Sequence, residues 1–103
     1  METDIYKTKA VFRKWPDGDI IALFPEEAGD VYGIHCASYM HIGQHANADY
    51  ESVVGCTTLA TPSEYADLQS ELASMDYNLQ IMKRCNPQAY QIRKEAAKRR
   101  NEL

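Results

Sequence analysis

The stretch from residue 5 to residue 24 constrains the fold more than any other. Residues 5 to 15 alternate, with Tyr6, Thr8, Ala10 and Phe12 on one face and Lys7, Lys9, Val11 and Arg13 on the other, which is the period of a half-buried strand. The even face is expected inward, with Lys7, Lys9 and Arg13 in solvent. Pro16-Asp17-Gly18-Asp19 then offers a proline preset for the second position of a turn and a glycine free to take positive φ. Residues 20 to 24 resume an apolar strand, so the prediction is a β-hairpin.

Beyond it, 25 to 30 reads as an acidic loop, and 31 to 40 as a third strand whose inner face holds Tyr32, Ile34, Cys36 and Met40. Residues 51 to 59, with Val53, Val54, Thr57 and Thr58, predict a fourth strand, bulged at Gly55. Thr61-Pro62-Ser63-Glu64 is the strongest local signal in the chain: an N-cap threonine, proline at the first helical position and glutamate at the third. Tyr65, Leu68, Leu72 and Met75 follow at helical spacing, so a helix is expected over about 62 to 75. Tyr77, Leu79 and Ile81 alternate as a fifth strand, closing a βαβ unit with a right-handed crossover. Asn86-Pro87 opens a last helix that carries Ala89, Ile92 and Ala96 on a weak apolar stripe and runs through Lys98, its end fraying from about residue 97. The expected fold is α+β: a single mixed sheet of about five strands in the order β-β-β-loop-β-α-β-α, with a helix packed on one face and a basic C-terminal helix.

A chain of 103 residues is one domain, 1 to 103, large enough to bury a modest core. Its net charge of -4 conceals a division. Residues 1 to 82 hold thirteen carboxylates against four cations, a net of -9, whereas 83 to 103 hold seven cations against two carboxylates, a net of +5. Two readings fit: the cations complement the dipole of the last helix and the acidic body, or Lys83, Arg84, Arg93 and Lys94, with the basic first strand, contact an anion. The acidic body disfavours a dedicated duplex binder, because nonspecific affinity follows the cations presented to phosphate. The longest apolar run, 20 to 24, is too short for a bilayer, and the acidic opening Met1-Glu2-Thr3-Asp4 does not resemble a signal peptide. Cys36, Cys56 and Cys85 are odd in number and lack a CxxC pair, so reduced thiols and a cytoplasmic location are expected.

Residues 41 to 50 concentrate His41, Gln44, His45, Asn47 and Asp49 among small residues. As a helix they would align His41, His45 and Asp49, and the first two could chelate a metal; Gly43 makes a loop an equal alternative. A zinc protease is excluded, because Ile42 stands where its motif needs glutamate. A polar pocket formed by Tyr39, His41, Gln44, His45, Asn47, Asp49 and Tyr50 is the candidate binding site for a ligand or partner, against the plainer alternative that these side chains only satisfy an irregular crossover. No catalytic residue, metal or cofactor is assigned. The cysteines sit on predicted strands among apolar neighbours, and P-loop, GxGxxG and GxSxG motifs are absent.

The runs Val11-Phe12-Arg13-Lys14, Asp19 through Pro25, Ser38-Tyr39-Met40-His41-Ile42-Gly43-Gln44-His45, Ala48-Asp49-Tyr50 and Thr61-Pro62-Ser63-Glu64-Tyr65 resemble a group of small uncharacterised proteins of bacterial mobile elements and bacteriophages. That resemblance carries no assigned activity and implies an accessory or host-interaction role. The expected function is therefore a small nonenzymatic binding protein, able to form a homo-oligomer, acting on a host protein or sequestering a small ligand, with no membrane partner. The rivals are a small enzyme using His41 or His45 as general base and a nucleic-acid regulator using the basic helix.

Overall fold

The computed structural model of the protein describes residues 7–41 and 45–101. β1 (Thr8–Lys14) and β2 (Ile20–Ala28) form the expected hairpin, Val11 opposite Leu23 and Lys14 opposite Ile20. In its turn Trp15 N donates to Asp19 O at 2.8 Å, the Asp17 carboxylate accepts from Asp19 N, and Gly18 takes φ +99°. β3 (Cys36–Tyr39) pairs antiparallel with β2, and β4 (His45–Ala48) antiparallel with β3. α1 (Tyr50–Cys56), β5 (Thr58–Leu59), α2 (Pro62–Ser74), β6 (Leu79–Met82) and α3 (Ala89–Asn101) complete the order. All strands join one sheet, β4-β3-β2-β1-β5, with β6 also on β1. Because β6 is parallel to β1 and the other pairs are antiparallel, the sheet is mixed and the fold α+β.

Both faces of β1 and β2 are buried. Ala10, Phe12, Ala22, Phe24 and Tyr39 pack against Leu68 and Leu72 of α2, whose N-terminus is held by Glu64 Oε1 accepting from Thr61 N at 2.9 Å. Tyr65 stacks on Phe12 at 4.4 Å and Tyr77 on Phe24 at 5.2 Å between ring centroids. Val11, Ile21, Leu23 and Cys36 pack on the opposite face with Tyr50, Val53 and Val54 of α1. α3 runs along β2 on that side, where Tyr50, Cys85, Ala89 and Arg93 border a common hollow.

Several expectations change. The predicted fourth strand is α1 followed by only two strand residues. Tyr50, Val53 and Val54 form a helical stripe on the second core, and Asp49 caps it, its carboxylate accepting from Ser52 N at 3.3 Å. Arg13, expected in solvent, closes the other end, donating to Val54 O at 3.1 Å, Thr57 O at 2.8 Å and Thr57 Oγ1 at 3.0 Å. A cation on the last carbonyls of a helix satisfies orphan acceptors and complements the dipole, which outweighs the strand preference of two valines. Lys9 is half-buried and paired with Glu26 at 3.2 Å, whereas Lys7 is exposed as expected.

The βαβ unit does not form either. β5 and β6 share one edge of β1 in opposite directions, β5 against Arg13 and Lys14, β6 against Thr8 to Val11. Only 36 to 39 of the third predicted strand is extended. Cys36 is buried as expected and Met40 half-buried, but Tyr32 and Ile34 lie outside the core. Cys56 ends α1 and is exposed, and Cys85 lies between β6 and α3, so neither is on a strand. The last helix is described to Asn101, with Ala97 buried and Arg100 and Asn101 bonded to the 30–31 backbone.

Candidate functional site

The polar segment after Tyr39 is neither helix nor loop throughout: 45 to 48 is an edge strand, with His45 opposite Tyr39. The rings of these two lie 4.5 Å apart, and His45 Nε2 is 3.2 Å from the hydroxyl of Tyr77. The Tyr39 hydroxyl donates to Glu71 of α2, and His41 Nδ1 is 2.8 Å from the other oxygen of that carboxylate. Tyr39, His41 and His45 are thus brought together, joined by Glu71 and Tyr77, which the sequence reading did not include. Burial, and next the charge of Glu27, raises the pKa of the Tyr77 hydroxyl. This cluster fastens β3 to α2 and β4 to Tyr77, just beyond the end of that helix. Gln44 lies outside the described residues.

The remaining predicted site residues separate from this cluster. Asn47 is exposed and packs close to Gly29, where an added Cβ would lie 2.7 Å from its own. Asp49 is the α1 cap. Tyr50 is buried, its hydroxyl accepting from Cys85 N at 3.0 Å, and burial pushes its pKa up to about 12. Among the described residues no three or more His, Cys, Asp and Glu side chains gather as a metal site.

The predicted anion contacts divide too. Lys83, Arg84 and Lys94 are exposed, but Arg93 is only 6% exposed and donates to three backbone carbonyls: Gly33 at 2.9 Å, Pro25 at 3.0 Å and Ile34 at 2.9 Å. The Pro25 carbonyl lies where the β2–β3 register breaks, between Phe24 and Ala28, and the guanidinium supplies the donor that the ladder lacks. Arg93 is therefore structural. Ala89 and Ala97, one turn away on each side, are small enough to let the helix approach.

What Arg93 anchors is a second, unpredicted site. Residues 30 to 35 form a tight turn: Gly33 takes φ +74°, and Asp30 Oδ2 accepts from the His35 ring at 2.9 Å. Besides the Arg93 contacts, Arg100 donates to Asp30 O at 3.1 Å and Asn101 to Val31 O at 2.8 Å. Four turn carbonyls are thus bound by side chains of α3, and the apolar side chains of the turn are left outside. Val31, Tyr32 and Ile34, 58%, 72% and 49% exposed, form one wall of a groove of about 610 Å³. Tyr90, Lys94, Glu95 and Lys98 of α3 form the other. The Tyr90 ring is itself held, with Arg93 Cζ and Lys94 Nζ each 5.0 Å from its centroid. The sequence signal for this site was the pair Gly29-Asp30 with Gly33, turn residues inside a supposed strand.

Compared with protein-family models, curated proteins and solved structures, the chain gives no match.

Proposed function

We propose that the protein is a nonenzymatic recognition module whose binding face is the groove between the 31–34 turn and α3. The observation that carries this reading is the gathering of Val31, Tyr32, Ile34 and Tyr90, four of the six large apolar side chains exposed among the described residues, on a backbone tied down by Arg93, Arg100 and Asn101. Scattered exposed apolar residues need no explanation, but a contiguous set beside a polar rim marks a contact surface. The Tyr90 ring, held by Arg93 and Lys94, loses little entropy on binding, which favours affinity. The rim carries Lys94 and Lys98 against the single carboxylate of Glu95, and this net positive charge favours a chain segment that offers apolar side chains and carboxylates together.

Several cations that an anion-binding surface would need are engaged within the fold: Arg13 on α1, Lys9 with Glu26, Lys14 with Glu64, and Arg93 on the turn. That weakens the nucleic-acid alternative. The His41–Glu71–Tyr39 cluster is read as a strap and not as an acid–base centre. Three free thiols and the resemblance to mobile-element and phage proteins support the reading of an accessory factor that works through contact in a bacterial cytoplasm. Fluorescence anisotropy with peptides tests the reading: an acidic, aromatic peptide should bind more tightly than its lysine-substituted counterpart, and Tyr32→Ser or Tyr90→Ser should abolish the difference. Equal binding of both peptides, or binding indifferent to both substitutions, would rule the groove out.

A further inference from the structure

We infer that the segment filling this groove comes from a second copy of the chain, in an isologous dimer built on α3. The inference rests on reading the groove as a recognition surface and names its occupant. A second hollow of about 390 Å³ adjoins the groove at the N-terminal end of α3, and Ile34 and Tyr90 line both. Lys94 and Lys98, with Glu95 between them, border the first hollow, and Asp49 and Glu51 the second; the Glu95 carboxylate accepts from Gln91 on its own helix at 3.2 Å. The face therefore carries an apolar centre with a net positive charge on one side, two lysines against Glu95, and carboxylates on the other. A patch of that kind is complementary to itself. Rotating one copy by half a turn about an axis through Tyr90 sets its Lys94 and Lys98 against Asp49 and Glu51 of its partner, and the reverse contact forms by symmetry. The same rotation runs the two α3 helices antiparallel, so their dipoles oppose favourably. The apolar centres meet between the two charged ends and exclude water from them.

Sedimentation equilibrium of the full chain tests this from about 1 µM to 1 mM, a range spanning the affinities of modest interfaces. The mass should rise from 11.7 kDa to twice that value, with the midpoint shifting to higher concentration as salt screens the ends. Tyr90→Ser, and independently the more exposed Tyr32→Ser, should keep a native circular dichroism spectrum and remain monomeric. The decisive arm is a charge exchange that leaves the α1 cap Asp49 untouched. Lys94→Glu with Lys98→Glu in one chain, and Glu51→Lys in another, should each weaken self-association by about tenfold or more. Mixing the two should restore much of the dimer, because one end of the mixed pair regains Lys94 and Lys98 against Asp49 and Glu51, and the other sets the introduced glutamates against the introduced lysine in place of glutamates against two carboxylates. Absence of rescue overturns the inference, as does a dimer insensitive to Tyr90→Ser. A chain that stays monomeric at 1 mM yet binds the acidic aromatic peptide overturns the dimer and leaves the recognition reading standing. A monomer that binds neither peptide overturns both.

Discussion

Arg93 Nε donates to the carbonyl of Gly33 at 2.9 Å, while a Cβ added to Gly33 would lie 2.7 Å from the carbonyl oxygen of Arg93. The side chain of one residue and the missing side chain of the other thus hold turn and helix together. Gly33 also has φ +74°, a conformation costly for an L side chain. Gly33→Ala should destabilise the protein and spread the turn from α3, read as a lower urea midpoint and new amide exchange at 31 to 35. An unchanged midpoint would show that the contact is loose.

Substituting Arg93 tests the other half. Arg93→Lys keeps the charge but not the fork that reaches three carbonyls, and Arg93→Met leaves all three without their donor. Each should cost roughly 2–4 kcal/mol in equilibrium denaturation, the methionine losing hydrogen bonds and the lysine also burying a poorly matched ammonium. Lys94→Met, on the exposed side of the same helix, should stay within about 0.5 kcal/mol of the parent. Equal losses at 93 and 94 would contradict the burial of the guanidinium.

Arg13 should matter far more than the other cations of its strand. Truncating it to alanine strips the donor from Val54 O and Thr57 O and exposes the end of α1, at a cost of about 1–3 kcal/mol. Lys7→Ala should cost almost nothing, and a urea melt of the two side by side distinguishes a helix cap from a solvated charge.

Leu72 is fully buried beneath α2 and Leu68 nearly so. Leu72→Ala should cost about 2–5 kcal/mol through lost burial and the cavity left behind. A melt as stable as the parent would mean that α2 does not seal the first core.

The thiols should differ in reactivity according to position. Burial pushes the Cys36 thiol up to about 11, whereas Cys56 is exposed at the end of α1. With iodoacetamide near neutral pH, peptide mass spectrometry should find Cys56 alkylated first and Cys36 only after denaturation. Alkylation of both at one rate in the folded protein would refute the packing of β3.

Acid should weaken the fold through two carboxylates. His35 beside Asp30, and Lys14 beside Glu64, hold those carboxyls below their ordinary range. A carboxylate with a depressed folded pKa contributes stability that is present above its unfolded pKa and lost as pH falls through the folded one. The melting temperature should therefore drop as pH falls below about 4, and Asp30→Asn with Glu64→Gln should flatten that limb. Both groups are near the surface, so salt should reduce the effect. An unaltered acid limb in the double variant would remove these two pairs from the account.

The hairpin and the start of α2 were legible in the sequence because their signals act within a few residues: Asp17 and Gly18 in one turn, Glu64 reaching back to Thr61 in the other. The leucine stripe of α2 was legible for the same reason, since helical spacing alone brings Leu68 and Leu72 to one face. Residues 50 to 56 were not, because Val53 and Val54 favour a strand and the cap that overrides them, Arg13, lies more than forty positions earlier. His45 could be recognised as polar and unusual, but its place opposite Tyr39 depends on a strand pairing that no local period announces. Arg93 looked like a free cation because its three acceptors are about sixty residues away in sequence, and Tyr32 and Ile34 looked like core because alternation says nothing about which surface arrives to cover them. Local hydrogen bonding is written into neighbouring residues. Which apolar faces meet, and therefore which are left open as a groove, is decided only when α3 returns across β2 and takes hold of the 30–34 backbone.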